Sequence, residues 1–406
     1  METVQFTTEH NLCISCGVCE GICTKNCITM VRNNGMFIPR IGDNCIHCGM
    51  CFKACPGKGI VGSTAEEINV DDLMGTYMFL YNAWSKDGSI RHNAASGGVT
   101  STLIQYLLER QMYDVAFVVK DFAYDKQIHS EPVYSGHEVV NFIDDTHLVT
   151  KSRYVPIGHD YAVKYIIENP TKKVILVGSP CAIRGILNVV EIKKLNRNNY
   201  LLIGLFCESV MNYNVWNYFS GKKFSAGKAL TALHFKNKES GGWPGNMKLL
   251  FADGSYKYYD KSYRMEVKPY FKPERCIYCV DKLNVNADIS LGDNYTGVDD
   301  SELGSNTVIV RSQIGLDAWK YCESELEVRQ IDRNHVIFSQ LLEHRIRNIE
   351  YADFKQRNIK NETGINLDIN TLGKRGSQLM NLKQYTAEMN NMQIGGGITP
   401  LSLIAA

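Results

Sequence analysis

The chain has 406 residues, 44% of them apolar, with 44 basic and 43 acidic side chains and a formal net charge of +1. That length exceeds one small domain and suggests two or three. The balanced charge gives no footing for nucleic acid or an anionic membrane surface, and no apolar run approaches the roughly 18 residues that span a bilayer. The N-terminus, METVQFTTEHNLC, lacks the basic-then-apolar pattern of a secretion signal, so a cytoplasmic location is expected.

Fourteen cysteines are present, nine of them in the first 55 residues. In a reducing compartment such a set points to metal binding before disulfides. Cys13, Cys16, Cys19 and Cys23 follow the spacing C-x2-C-x2-C-x3-C. Cys45, Cys48, Cys51 and Cys55 repeat it 32 positions later, with Pro56 directly after. This is an internal duplication. Three cysteines so spaced wrap one 4Fe–4S cubane, and the fourth ligates the neighbouring cluster. Cys13, Cys16, Cys19 and Cys55 are therefore assigned to one cluster, and Cys45, Cys48, Cys51 and Cys23 to the other. Zinc knuckles are the competing explanation, but they use two separated C-x2-C pairs. Thr24 stands where the first run would ordinarily carry Pro. Cys27, one helical turn past Cys23, is expected as a small buried apolar residue. Gly17 and Gly49 fall where backbone must pass close to inorganic sulfide. Ile28–Arg32 and Met36–Arg40, flanking Asn33-Asn34-Gly35, predict a hairpin.

A linker is expected over 61–75. Thr76–Trp84 then predicts a strand, Val99–Gln111 an apolar helix, and Tyr113–Lys120 a buried strand. The turn Ser96-Gly97-Gly98 opens that helix. Its N–H groups and the positive end of the helix dipole suit a phosphate or a flavin edge. A serine N-cap with two loop glycines accounts for the same residues without a ligand. Thr150–Gly158, TKSRYVPIG, sets Lys151, Arg153 and Tyr154 before a helical stretch. Val174–Asn188 reads as strand, Pro180 turn and helix, and Tyr200–Ser209 as a strand ending at a cysteine. This alternation predicts a mixed α/β core with functional residues at strand ends.

Cys181 and Cys207 end apolar strands, and Cys276 and Cys279 form a C-x2-C pair. By spacing alone these four can hold a third 4Fe–4S cluster, a zinc ion or no metal. Cys322, in a helical stretch, is expected in the core. Gly292-Asp293 and Asp299-Asp300 read as a solvated turn before a proton source. Trp243 reads equally as cleft lining or as a structural aromatic. His92 and His159 read as surface or core histidines. Tyr351–Leu382 predicts one helix with loops, and the tail GGGITPLSLIAA a disordered or packing arm.

Several stretches together resemble the family of coenzyme F420 hydrogenase/dehydrogenase beta subunits, in the branch with a fused N-terminal two-cluster ferredoxin domain. They are the two cysteine runs, Gly75–Leu103, Lys151–Val155, Gly178–Ile186, Gly204–Ser209, Arg275–Asn294 and Gly304–Ser312. The resemblance implies a ferredoxin-type domain over 1–60, a mixed α/β FAD- and iron–sulfur-binding domain over 76–345, and a C-terminal extension over 346–406. It implies that Ser96, Gly97, Gly98, Lys151, Arg153 and Tyr154 hold FAD, and that Cys181, Cys207, Cys276 and Cys279 ligate a third 4Fe–4S cluster. It also implies a hydride equivalent exchanged between FAD and a small two-electron carrier, coenzyme F420 among the family's substrates. Single electrons then pass to a redox partner protein or ferredoxin. A non-catalytic electron-transfer subunit is the alternative. No catalytic acid or base is assigned.

Overall fold

The computed structural model describes residues 2–58, 70–135, 151–365 and 367. Its first sheet is a hairpin, β1 (Ile28–Asn33) and β2 (Met36–Ile41). The turn residues Asn34 and Gly35 have φ of 47° and 80°. Both are left-handed, as a two-residue type I′ turn requires. The predicted hairpin is therefore present, each strand one residue longer than expected.

The principal sheet has eight strands. In chain order they are β3 (Phe79–Ser85), β4 (Val115–Val119), β5 (Ser130–Tyr134), β6 (Val174–Gly178), β7 (Tyr200–Leu205), β11 (Ile289–Asp293), β12 (Asn306–Val310) and β13 (Leu326–Gln330). Their spatial order is β13-β3-β12-β11-β7-β6-β4-β5. The central run β11-β7-β6-β4 is parallel and the flanking pairs are antiparallel. Three further strands, β8 (Leu230–Asn237), β9 (Asn246–Phe251) and β10 (Tyr256–Tyr259), form a separate antiparallel meander.

The parallel strands read as unbroken apolar runs because both of their faces are buried. Ala116 and Val118 of β4, Ile175 of β6, and Leu201 and Ile203 of β7 pack with the helices Val99–Glu109 and Gln313–Cys322. The alternate residues Val115, Phe117, Val174, Leu176, Tyr200 and Leu202 pack with the helices Asp160–Glu168 and Pro180–Ile192. Cys322 is buried in the first of these cores, as expected.

The N-terminal module is not tethered at a distance. Val18, Ile22 and Ala54 belong to the second core, beside Ile166, Ile183 and Ile186. The duplication extends to the backbone. Ser15 and His47, 32 positions apart, have φ of 58° and 51°, and Gly17 and Gly49 have 69° and 73°. Each glycine leads into a short helix, Val18–Ile22 or Met50–Ala54.

Two expectations change. Of the expected linker over 61–75, residues 61–69 lie outside the described residues, and Val70–Met74 is a helix. Its Val70, Leu73 and Met74 recur at helical spacing and are buried against Leu80 and Ile309. The expected boundary at 345 falls inside the helix Glu343–Thr363. This helix includes the start of the predicted Tyr351–Leu382 stretch. Residues 366 and 368–406, with the tail, lie outside the described residues. No helix among the described residues is long and apolar enough to cross a membrane.

Gly21 reports on the joint between module and sheet. A Cβ there would stand 2.7 Å from the Val163 Cβ and 2.8 Å from the Asp160 carbonyl oxygen. Gly21→Ala is expected to cost about 1–3 kcal/mol in denaturant unfolding. Gly88→Ala, with no atom within 4 Å of its added Cβ, is the neutral control.

Candidate functional site

The C-terminal ends of β4, β6, β7 and β11 open onto one cavity of about 700 Å³, and residues from each of those ends line it. This is the edge at which open α/β sheets hold ligands, and the volume is that of a cofactor site. The same cavity is lined by Ser96 and Gly98, by Lys151–Tyr154, by Cys181, Cys207, Cys276 and Cys279, and by Cys16 of the N-terminal module. Sequence segments as far apart as Cys16 and Cys279 are thus gathered around one space.

The Ser96-Gly97-Gly98 turn is fixed from behind. The Ser96 hydroxyl donates to the Ser305 carbonyl at 2.7 Å. Lys238 Nζ donates to the carbonyls of Ser96 and Arg91 at 2.7 and 2.6 Å. A Cβ on Gly97 would stand 2.8 Å from both the Ala83 carbonyl oxygen and the Asn306 side chain. Gly98, at φ 84°, turns the chain into the helix. The turn therefore offers the cavity backbone and the positive helix end, while its hydroxyl points to β12.

The three residues of the 151–154 segment differ in what they have left to offer. The Arg153 guanidinium donates to the carbonyls of Lys151, Val119, Lys120 and Asp121 and stacks 3.8 Å from the Phe122 ring centroid. It braces the loop. Lys151 is buried, and burial lowers its pKa to about 8. Tyr154, at φ 56°, carries its ring near the cations of Arg264 and Lys268, each 5.8 Å from the centroid.

The acidic segment is a correction. Asp293 is not in a solvated turn; it ends β11, lines the cavity and pairs with the buried Lys236 of β8. Trp243 Nε1 and the Tyr295 hydroxyl donate to its carboxylate at 3.4 and 3.2 Å. Burial works against the Asp293 charge, but the Lys236 ammonium outweighs it and holds the carboxyl below its ordinary range. Asp299 is likewise buried at its side chain, paired with Arg329. Trp243 takes the structural role, packed on Gly304 and Tyr295 outside the cavity lining. His92 is exposed. His159 is buried in the cavity wall, its Nδ1 3.1 Å from the Ser130 hydroxyl, and burial lowers its pKa to about 4.

The thiols of the N-terminal module lie close together, and Cys19 neighbours both Cys55 and Cys51. Cys13, Cys16 and Cys19 each feel the charge of Cys55. Cys51 feels Cys48 and Cys23. Cys27 is buried, as expected, but its Sγ lies 3.4 Å from that of Cys23, so it is a close neighbour of the second set. In the third set Cys207 feels Cys181, Cys276 and Cys279, and Cys16 feels Cys181 across the module boundary. Burial raises these thiols, and neighbouring thiolates raise them further. Such a donor set fits a bound cationic iron core, which removes both penalties. Among the described residues, no three His, Cys, Asp or Glu side chains stand close enough to grip a single metal ion.

Sequence reasoning assigned no chemistry beyond residue 345, yet Arg345 and Asn348 hold the third set in place. Arg345 Nη2 donates to the Cys207 and Glu208 carbonyls at 3.0 and 2.6 Å. Arg345 Nη1 and Asn348 Nδ2 donate to the Cys279 carbonyl at 3.3 and 2.7 Å. Lys236, Arg264 and Lys268 of the cavity wall were also missed, since a lone cation on a strand or helix carries no spacing signal.

Lys151 yields a pH test. Its ordinary pKa of 10.5 falls to about 8 on folding, so between these values the unfolded chain binds more protons and stability rises with pH. Below 8 the burial penalty is complete. Lys151→Met, measured without a bound anion, is expected to stabilise the chain at pH 7 by up to about 3 kcal/mol. The gain should vanish above pH 10.5, as read by unfolding at the two pH values.

The comparisons agree with this architecture. The coenzyme F420-dependent sulfite reductase of Methanocaldococcus jannaschii is 25% identical across 85% of this chain, which spans about half (52%) of that enzyme's length. One of the subunits of the F420H2 dehydrogenase of Methanosarcina mazei is 25% identical across 79% of this chain and 85% of its own. One chain of the solved F420-reducing NiFe hydrogenase complex from Methanosarcina barkeri superimposes with a TM-score of 0.51 at 18% identity, over 70% of this chain and 94% of that one. That last likeness is one of fold. The family models for the coenzyme F420 hydrogenase/dehydrogenase beta subunit match residues 80–139 (N-term) and 171–334 (C terminus). On that match the chain belongs to the family of coenzyme F420 hydrogenase/dehydrogenase beta subunits.

Proposed function

We propose that the chain is an iron–sulfur flavoprotein oxidoreductase, with FAD in the large cavity and three 4Fe–4S clusters on the three cysteine sets. The observation that carries this reading is the shared lining. One cavity is walled by the Ser-Gly-Gly turn, Lys151, the four later cysteines and Cys16. A bound FAD would exchange electron pairs with a substrate and release them singly to clusters, which accept one at a time.

The residues divide the work. The Ser96–Gly98 turn and the start of the Val99–Glu109 helix would take the cofactor's phosphates. Lys151 adds a cation in a buried setting, where its charge acts strongly. Arg153 keeps the loop rigid. Lys236 and Asp293, both at the cavity wall, orient each other, and the ion pair favours a charged Asp293. That pair is placed to fix a polar edge of a substrate ring. The side chains of Val118, Val177 and Leu291 supply an apolar wall that excludes water.

The relatives' names suggest coenzyme F420 as the two-electron carrier. Protein purified anaerobically is expected to hold about twelve irons per chain and one FAD. Cys181→Ser should lower the iron content by about four, with the N-terminal clusters' spectrum retained. A colourless protein without flavin after reconstitution would overturn the reading.

A second reading, a relay component without a substrate of its own, is favoured by the relatives that are parts of larger enzymes. Reduced F420, NADH, NADPH and reduced ferredoxin offered to the isolated chain separate the two. Flavin bleaching by a soluble hydride donor supports the enzyme; bleaching by reduced ferredoxin alone supports the relay.

A further inference from the structure

A second cavity of about 280 Å³ adjoins the large one, and Glu208, Lys282 and His344 line both. Its wall carries Lys272, Lys282, Arg345 and Arg347 against the single carboxylate of Glu208. Glu208 is already taken: Lys282 Nζ and Arg345 Nη2 stand 3.1 and 3.0 Å from it. Lys272 and Arg347 have no ion-pair partner among the described residues. The pocket therefore carries a surplus of positive charge.

Two further features point the same way. The pocket sits at the N-terminal end of the 21-residue helix Glu343–Thr363, whose positive dipole end adds to the cations. Arg345, 3% exposed, uses both terminal nitrogens on protein oxygens but leaves its Nε–H buried without a hydrogen-bond partner. That nitrogen is closed to solvent, so an anion in the pocket would meet Arg345 through its net charge.

We propose that this pocket is a subsite for the anionic group, a phosphate or carboxylate, of the molecule whose redox-active ring enters the large cavity. The proposal rests on the oxidoreductase reading only for the ring; the anion site stands on its own residues. The two cavities share lining residues and so are neighbours, and the proposal sets the ring and the anion of one extended molecule in them.

The test uses the full chain with its cofactors and a double charge reversal, Lys272→Glu with Arg347→Glu. Inorganic pyrophosphate is titrated by calorimetry. The wild type is expected to bind it, and the double variant to bind it about tenfold or more weakly. The remote pair Lys222→Glu with Lys223→Glu, which makes the same change in net charge at exposed positions, should leave binding unchanged. Equal weakening by both pairs, or no binding by the wild type, overturns the site.

A second arm compares reduced FMN with reduced riboflavin, donors that differ by one phosphate. The wild type is expected to be half-saturated at a lower concentration of reduced FMN, and the difference should vanish in the Lys272→Glu, Arg347→Glu variant. If the wild type binds pyrophosphate but treats the two donors alike, the pocket takes free oxyanion and the subsite proposal falls. If neither donor reduces the protein, the oxidoreductase reading fails, and the pyrophosphate titration still decides the anion site.

Discussion

The His159 N–H donates to the Cys16 carbonyl at 2.8 Å, and much of the molecule depends on that bond. It ties the loop of the first cysteine run to the start of the Asp160–Glu168 helix, which packs on the principal sheet. It holds Cys16 at the cavity that Cys181 and Cys207 also line. The apolar seam of Val18, Ile22, Val163 and Ile183 supplies the burial behind the bond, and Gly21 lets the two helices approach. The proposed electron transfer would fall steeply with distance, and this rigid joint suits it better than a flexible tether.

Local patterns were legible in the sequence. The cysteine runs, their 32-residue repeat, the Asn-Gly hairpin and the apolar strands each depend on neighbours a few residues apart. The Ser-Gly-Gly turn was legible as a backbone feature, although its hydroxyl serves β12. What escaped depends on long-range pairing. Asp293 looked like a loop acid because its partner, Lys236, lies 57 residues away on another sheet. Arg345 sits in a polar helix, and nothing in that helix's pattern reveals two cysteine loops beneath it. Arg153 was expected to face a ligand, but four carbonyl oxygens surround its guanidinium. An arginine is the one side chain with enough donors to gather so many acceptors at once.

The cavity wall gathers buried cations from separate elements: Lys151 from the loop after residue 150, Lys236 from β8, and Arg264 from the helix Ser262–Phe271. The thiols opposite are held neutral by burial in the absence of metal. The polypeptide alone is thus unevenly charged around this space, with positive charge outweighing the Asp293 carboxylate. Phosphates on one side and a cluster with four thiolates on the other would each bring negative charge, and the wall is suited to receive both. Binding of the proposed cofactors would couple to folding stability through the same groups.

The repeated half-modules share backbone angles and donor spacing but not surroundings. One ligand set, Cys13, Cys16, Cys19 and Cys55, has two buried cysteines and no exposed one, and its Cys16 lines the large cavity. The other turns Cys48 and Ile46 outward, the isoleucine 58% exposed. In the proposed wire, two near-identical ligand sets would therefore sit in unlike dielectrics. Water stabilises added charge better than a protein interior does, so the outer set would accept an electron on different terms from the inner one. In the proposed arrangement, solvent exposure as well as ligand identity would set the two clusters apart.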